Sequence, residues 1–232
     1  MSKTKSRYYG HRFPPEVISH AIWLYYRFSL SFRDSEDLLA QRGIIVSYES
    51  VRRWCFKFGP GYRRRLKRRE GRLGDIWHVD EVLVRISGEL HYLWRAVDQD
   101  GDIIGILLQR RRNAPAANRF FKKALKRQGA EPILLVTDKL RSYPSAALQV
   151  LPSATHDTSC YANNRAELSH QITRQRERQM RRFKSGHQAQ RFLSIHTRVN
   201  NLFRYGRHLL RATHHRSFRA RAFAVWQQVT CG

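Results

Sequence analysis

The stretch Ile76-Trp77-His78-Val79-Asp80-Glu81-Val82-Leu83-Val84-Arg85-Ile86 changes the hydrophobic period of the chain from helical to extended. Successive side chains of a strand point to opposite faces, so Asp80 shares a face with His78. Glu81 faces the other side of the pleat, and the pattern predicts a poor co-ligand for Asp80 there. An acid among the apolar residues of a strand usually needs a partner or a metal ion. Asp80 is therefore a candidate functional residue, and His78 is interpreted as a core or supporting histidine.

The elements that follow this strand indicate the fold class. The sequence predicts strands at 90–97, 103–109 and 133–136, helices at 114–128, 145–150, 164–184 and 188–205, and otherwise a loop-rich stretch at 139–160. Tight turns join the first three strands, which predicts an antiparallel meander, and the fourth strand is reached by a crossover helix. The order β-β-β-α-β-α predicts an α/β protein with a mixed sheet flanked by helices, as in the ribonuclease H-like fold.

Three carboxylates far apart in the chain converge in such a fold. Asp138 ends the fourth strand, a neighbour of the first, and Glu167 lies in the first turn of the following helix. Close carboxylates repel one another unless a cation neutralises them, and Mg²⁺ prefers such oxygens together with substrate phosphate. Each acid alone has a plainer interpretation, since Asp138 can cap a helix and Glu167 suits the helix dipole. Together they predict a site for two Mg²⁺ ions, with Mn²⁺ as an alternative ion.

The region before the first strand resembles a helix-turn-helix. Apolar residues at helical spacing predict helices at 15–28, 32–42 and 48–58, with Ser31 and Ser47 as caps and Gly43 in the turn. The third helix is then a DNA-recognition helix with Arg52, Arg53 and Lys57 facing outward. Three-helix bundles without a DNA function show the same pattern, and this alternative stays open.

Composition supports a nucleic-acid partner. The 232 residues include 44 Lys and Arg against 18 Asp and Glu, a formal net charge of +26. Glu177 is the only acid from Leu168 to Gly232. Apolar runs are too short for a membrane span, and we see no secretory signal. Cys55, Cys160 and Cys231 make no metal-ligand pattern. We therefore expect a cytoplasmic, nucleoid-associated protein that binds double-stranded DNA and no membrane.

These observations predict four regions. They are a basic arm and helix-turn-helix (1–58), a basic linker (59–75), a catalytic domain (76–185) and a basic C-terminal helical region (186–232). Gly59-Pro60-Gly61 is expected to break the third helix before the linker. Basic residues outside the recognition helix are predicted to hold DNA phosphates. They are Arg63, Arg64, Arg65, Lys139, Arg141, Arg174, Arg178, Arg181 and Lys184.

Several blocks together resemble the bacterial insertion-sequence DDE transposases of family six. They are His78-Val79-Asp80-Glu81, Tyr92 to Asp98, Arg112-Asn113, Val136 to Tyr143, Asn163-Asn164-Arg165-Ala166-Glu167 and Arg174 to Ser185. The resemblance implies that Asp80, Asp138 and Glu167 form the DDE triad. It also implies two divalent ions, binding to terminal inverted repeats and to target DNA, and a homodimer or higher homo-oligomer. Leu168 stands where typical members have Asn, and the segment His156 to Ala162 is atypical.

Three other functions fit parts of the same pattern. A DNA-binding regulator would use the helix-turn-helix and keep a relict, inactive catalytic fold. A structure-specific nuclease of the same fold would cut DNA without joining it. An RNA-binding protein would explain the charge, but the interspersed acids and the helix-turn-helix argue against it. Metal-dependent cleavage and the recovery of joined products separate the first two functions from a transposase.

Overall fold

The computed structural model describes residues 7–159, 183–204 and 210–231. Its helices are α1 (Pro15–Arg27), α2 (Phe32–Ala40), α3 (Tyr48–Arg69), α4 (Ala114–Gln128), α5 (Ser142–Val150), α6 (Gly186–Leu202) and α7 (Ala212–Thr230). Its strands are β1 (Ile76–Ile86), β2 (Glu89–Val97), β3 (Ile103–Gln109), β4 (Leu134–Thr137) and β5 (Thr155–Asp157). Across the described ranges, we find no helix long and apolar enough to cross a membrane.

The five strands form one mixed sheet in the order β3-β2-β1-β4-β5. β1, β2 and β3 are antiparallel neighbours, and β4 lies parallel to β1 on its other side. β5 then adds in parallel to β4. This topology confirms the predicted α/β fold with β1 at the centre, although β5 lies where the sequence predicted loop. Its three residues are too few for a hydrophobic period to reveal them.

Helices α4 and α5 cover one face of this sheet. Trp77 and Trp94 on the strands are buried in one apolar cluster with Phe120, Phe121 and Tyr143 on the helices. The ring of Trp94 meets that of Tyr143 edge-on at 5.6 Å between centroids. Because Tyr143 is fully buried in this core, its side chain is held rigidly beneath the end of the sheet.

The chain forms two compact units. Arg69–Thr197 contains the sheet, and Met1–Arg68 joins with Arg198–Gly232 in the other unit. In the second unit, the Tyr8 hydroxyl donates to the carbonyl oxygen of Thr230 over 2.5 Å. This grouping differs from the four predicted regions, which stay predictions as functional divisions.

Helices α1, α2 and α3 lie where the sequence predicted them. Ser31 caps α2 with a reciprocal pair of bonds to Asp34, and Gly43 follows the helix with a left-handed φ of +74°. The prediction that the third helix ends at Phe58 was wrong, because α3 continues through Pro60 to Arg69. The apolar stripe of Tyr62 (0% exposed) and Leu66 (5% exposed) explains the continuation, since its burial offsets the backbone bond that Pro60 cannot make.

Two further differences concern the second half of the chain. α5 begins at Ser142, three residues before its predicted start, and α6 begins at Gly186 and ends at Leu202. The helix predicted for 164–184 falls almost entirely outside the described residues. In the described C-terminal part, α7 carries Arg216, Arg219 and Arg221 on a largely exposed first half.

Candidate active site

Pairing in the sheet brings two of the predicted acids to the same edge. β1 and β4 are parallel, and their register sets Val79 beside Thr137. Asp80 and Asp138 are the residues that follow these two, so they lie side by side where the pairing of β1 with β4 ends. Asp138 comes directly after the last residue of β4. The predicted convergence of Asp80 and Asp138 is therefore a consequence of strand register.

A third carboxylate joins them. One oxygen each from Asp80, Glu81 and Asp138 lie within 4.8 Å of one another, and all three residues are partly buried. Carboxylate oxygens at this spacing suit a hard divalent cation, which takes one or two such ligands and completes its shell with water and phosphate. The donor set therefore fits a magnesium-type ion and makes this edge a candidate metal site.

The expectation that Glu81 faces away from Asp80 was wrong for the carboxylate oxygens, and its prediction as a poor co-ligand stays a prediction. Alternation of the pleat sends the two Cβ atoms to opposite faces. At the end of the paired region, however, the two side chains turn toward a common space, and Glu81 reaches an oxygen to within 4.8 Å of the other two acids. Burial raises the pKa of Glu81, and the Tyr143 hydrogen bond and Arg112 oppose that rise.

Glu81 has two fixed partners. The Tyr143 hydroxyl donates to Oε2, and Nε of Arg112 donates to Oε1. A second nitrogen of the same guanidinium lies 3.3 Å from Oδ2 of Asp138. Burial, followed by the charge and hydrogen bond of Glu81, raises the pKa of Tyr143 well above its usual value, so this hydroxyl stays a proton donor at neutral pH.

Asp138 is oriented by the loop that follows it. The backbone N–H of Leu140 donates to Oδ1 of Asp138 over 3.0 Å. The Thr137 hydroxyl donates to the Asp138 carbonyl oxygen over 2.8 Å and lies 2.8 Å from Nε2 of His156 on β5. The carboxylate of Asp138 is thus held between a backbone donor and Arg112.

The sequence missed Arg112 and Tyr143 as site residues. Both lie within the blocks that carry the family resemblance, but a role was assigned to neither. Local periodicity cannot reveal them, because Arg112 precedes α4 and Tyr143 belongs to α5, and both reach Glu81 only through the tertiary fold. The signal that the sequence offers is a positive charge at Arg112, which could pair with an acid; Arg112 directly precedes Asn113, the cap of α4.

The other predicted site residues have separate locations. Glu167, Arg174, Arg178 and Arg181 lie outside the described residues, so their roles stay predictions. Lys139, Arg141 and Lys184 are exposed in the unit that contains the sheet. Lys139 and Arg141 follow Asp138 within three residues, which places two cations beside the acidic edge.

The predicted DNA-binding residues of α3 have different environments. Arg52, Arg53, Lys57 and Arg64 are exposed, and Arg63 is half-buried. Glu49 accepts two bonds from Arg52, at 2.8 and 2.7 Å, and holds its guanidinium in a fixed plane.

Arg65 is less accessible than these residues. Its guanidinium lies over the Tyr62 ring at 5.3 Å from the centroid, and burial lowers its pKa.

Comparisons with known proteins agree with this geometry. The family described as a DDE domain matches residues 74–206. A transposase for insertion sequence-like element IS431mec of Staphylococcus aureus is 30% identical over 196 residues, covering 82% of each chain. The transposase of insertion sequence element IS257 in transposon Tn4003, also from Staphylococcus aureus, has the same identity and coverage.

One solved structure matches the chain at low similarity. The HTLV-2 integrase catalytic core domain, solved with magnesium in a trimeric form, aligns with a TM-score of 0.43 and 14% identity. The alignment covers 62% of this chain and 94% of that one. The matched family covers more than half of the chain, including β1, β4 and both acids that follow their paired segment. The chain belongs to the DDE transposases of bacterial insertion sequences, in the IS6 family, and it is a DNA transposase.

Proposed function

We propose that this transposase binds the terminal inverted repeats of its element, cleaves the phosphodiester bond at each end and transfers the freed 3′-OH into target DNA. The observation that carries the proposal is the approach of Asp80 and Asp138 oxygens to within 4.8 Å where the pairing of the parallel strands β1 and β4 ends. Such a pair on an electropositive protein suits metal-dependent chemistry on a polyanion.

Asp80, Asp138 and Glu167 would hold two Mg²⁺ ions, or Mn²⁺ in their place. When bound, such ions activate the attacking oxygen and stabilise the leaving oxygen of a phosphodiester. Asp138 is suited to a ligand role because Leu140 and Arg112 fix the plane of its carboxylate. Lys139 and Arg141, exposed in the same loop, would neutralise the phosphates that flank the scissile bond.

DNA recognition is assigned to α3. Arg52 and Arg53, near the start of this helix, would contact base edges and phosphates of the inverted repeat, and Glu49 would orient the Arg52 guanidinium. Lys57, Arg63 and Arg64 extend the basic surface along the same continuous helix. The Arg-rich segment with Arg174, Arg178, Arg181 and Lys184 is proposed to hold DNA phosphates.

Two element ends must be joined to one target. The reaction therefore favours a homodimer or higher homo-oligomer in which each copy supplies one set of acids. The DNA substrates also imply that the protein acts at the nucleoid, in the bacterial cytoplasm.

The test is strand cleavage and joining on duplexes that carry the element ends, in the presence of Mg²⁺. Replacing Asp138 with Asn removes a metal-ligand charge and is expected to lower cleavage by about a thousandfold, with end binding unchanged in a gel-shift assay. Asp100→Asn, an exposed turn residue, is the matched control and should cleave normally. Normal cleavage by Asp138→Asn would contradict the assignment. End binding without cleavage by the parent protein would instead favour a relict regulator.

A further inference from the structure

Glu81 is in reach of the metal site, yet its side chain is already engaged. Only 2% of that side chain is exposed, against 39% for Asp138. Arg112 occupies Oε1 and Tyr143 occupies Oε2. Each oxygen of Glu81 therefore has a donor supplied by a different element, Tyr143 from α5 and Arg112 from the chain that leads into α4.

Arg112 also contacts the acid that is assigned to the metal. Its guanidinium lies 3.3 Å from Oδ2 of Asp138 while it donates to Glu81. An arginine fork is planar and permanently charged, so it can hold two carboxylates in a fixed relation in a way that a lysine cannot. Tyr143 is 0% exposed in the aromatic core, which makes its hydroxyl a rigid anchor for Glu81.

We propose that Arg112 and Tyr143 are positioning residues that keep Glu81 out of the metal-ligand shell and reserve the site for Asp80 and Asp138. This inference rests on the proposed function of the site. Without its two donors, Glu81 is close enough to Asp80 and Asp138 to bind the same ion as an additional ligand. An extra carboxylate would tighten binding while pulling the ion away from its working position, and active sites tolerate displacements of only about 0.5 Å.

Metal affinity, measured together with activity, distinguishes a positioning role from a general structural role. Loss of a structural residue weakens metal binding and activity together. Loss of the restraint on Glu81 should strengthen metal binding while activity falls. Removing a residue that supports a metal ligand typically costs about 10- to 100-fold in metal affinity, so a gain in affinity would distinguish the restraint on Glu81 from such support.

The experiment measures Mn²⁺ binding in the absence of DNA, from the electron paramagnetic resonance signal of the free ion. Arg112→Ala is expected to bind Mn²⁺ about tenfold more tightly than the parent, with end cleavage reduced about tenfold or more. Tyr143→Phe removes one donor and keeps the ring in the core, so it should show a smaller change in the same two directions. It also serves as the second variant if Arg112→Ala folds poorly.

Two controls test whether the gain in Mn²⁺ affinity depends on Glu81. In Glu81→Gln/Arg112→Ala the gain in Mn²⁺ affinity should disappear, to within about twofold of the parent, because residue 81 no longer carries a carboxylate that could join the ion. Arg110→Ala removes a cation two residues before Arg112 that pairs with Glu89 over 2.9 Å, and it should leave Mn²⁺ affinity unchanged.

Three results would overturn the proposal. They are weaker Mn²⁺ binding by Arg112→Ala, a gain that persists in the double variant, and a large loss of Mn²⁺ binding by Glu81→Gln alone, which would make Glu81 a ligand. Asp80→Asn and Asp138→Asn are measured alongside. If neither changes Mn²⁺ binding, the proposed metal site itself fails, whatever the Arg112 variants do.

Discussion

Thr137, the residue before Asp138, is contacted by His156 on the neighbouring strand β5. Thr137 is 1% exposed, and its hydroxyl lies 2.8 Å from Nε2 of His156. Burial lowers the pKa of His156 below its ordinary value of 6.5, a shift that the charge of Asp157 only partly opposes. The folded protein therefore favours the neutral imidazole, which keeps this contact between β4 and β5 uncharged near neutral pH.

This shift predicts a loss of stability in acid. Below about pH 6.5 the unfolded chain takes up a proton at His156 more readily than the folded protein, so the free energy of unfolding falls as the pH is lowered. His156→Gln keeps a polar side chain beside Thr137 and does not titrate. We expect its unfolding free energy to fall less between about pH 7 and pH 5 than that of the parent.

Chemical denaturation at the two pH values measures the difference. His20, whose pKa is also lowered by burial, keeps its own contribution in both proteins and so cancels in the comparison. An equally steep decline in the variant would mean that His156 does not carry the effect.

At the level of elements, α3 is a single basic helix that continues beyond the predicted recognition helix. Gly59, Pro60 and Gly61 lie inside it, and each is a poor helix former. The helix persists because Trp54, Phe58, Tyr62 and Leu66 bury one continuous stripe. The basic residues after Gly61 therefore belong to the same rigid element as Arg52 and Arg53.

Gly61 gives a direct test of this continuity. A Cβ at this position would meet only a flexible Arg65 side-chain atom at 4.0 Å. In a helix interior, Gly61→Ala should raise the free energy of unfolding by about 0.5–1 kcal/mol. Gly43→Ala is the matched contrast, because its φ of +74° disfavours any side chain and the variant should be less stable than the parent. Urea denaturation compares the three proteins, and a destabilised Gly61→Ala would argue against the helix.

At the level of the whole molecule, both ends of the described chain belong to one unit. Trp226 on α7 is 3% exposed, and its ring meets that of Tyr62 on α3 edge-on at 5.4 Å. Arg27 on α1 donates to the side chain of Asn200 over 2.6 Å. Two helices of the predicted DNA-binding region, α1 and α3, thus contact residues from the C-terminal part of the chain.

Trp226→Ala should therefore weaken DNA binding, although Trp226 is far along the chain from the predicted DNA-binding residues of α3. Removing a buried Trp typically costs about 3–5 kcal/mol of stability. We expect a lower unfolding midpoint and weaker binding to the element ends, while Mn²⁺ binding at Asp80 and Asp138 in the other unit is retained.

Phe218→Ala is the control, because Phe218 lies on the same helix with 41% of its surface exposed. If Trp226→Ala loses Mn²⁺ binding as severely as DNA binding, the two units do not fold independently.

Much of the fold follows from local patterns. The bounds of β1, β3 and α4 agree with those predicted, because each carries a hydrophobic period that its own residues set. Asp80 and Asp138 were identifiable for the same reason, since each is an acid at a definable position in or after an apolar strand. Their proximity needed only the parallel pairing that the element order already implied.

Long-range contacts determine the features of the fold and the site that local patterns do not predict. The engagement of Glu81 by Arg112 and Tyr143 and the hydrogen bond from Tyr8 to Thr230 on α7 join residues that are 31 to 222 positions apart. No periodicity within one segment encodes such pairs. Burial against distant side chains also outweighed helix propensity at Gly59-Pro60-Gly61, because the apolar stripe of α3 is stabilised only when the rest of its unit is in place.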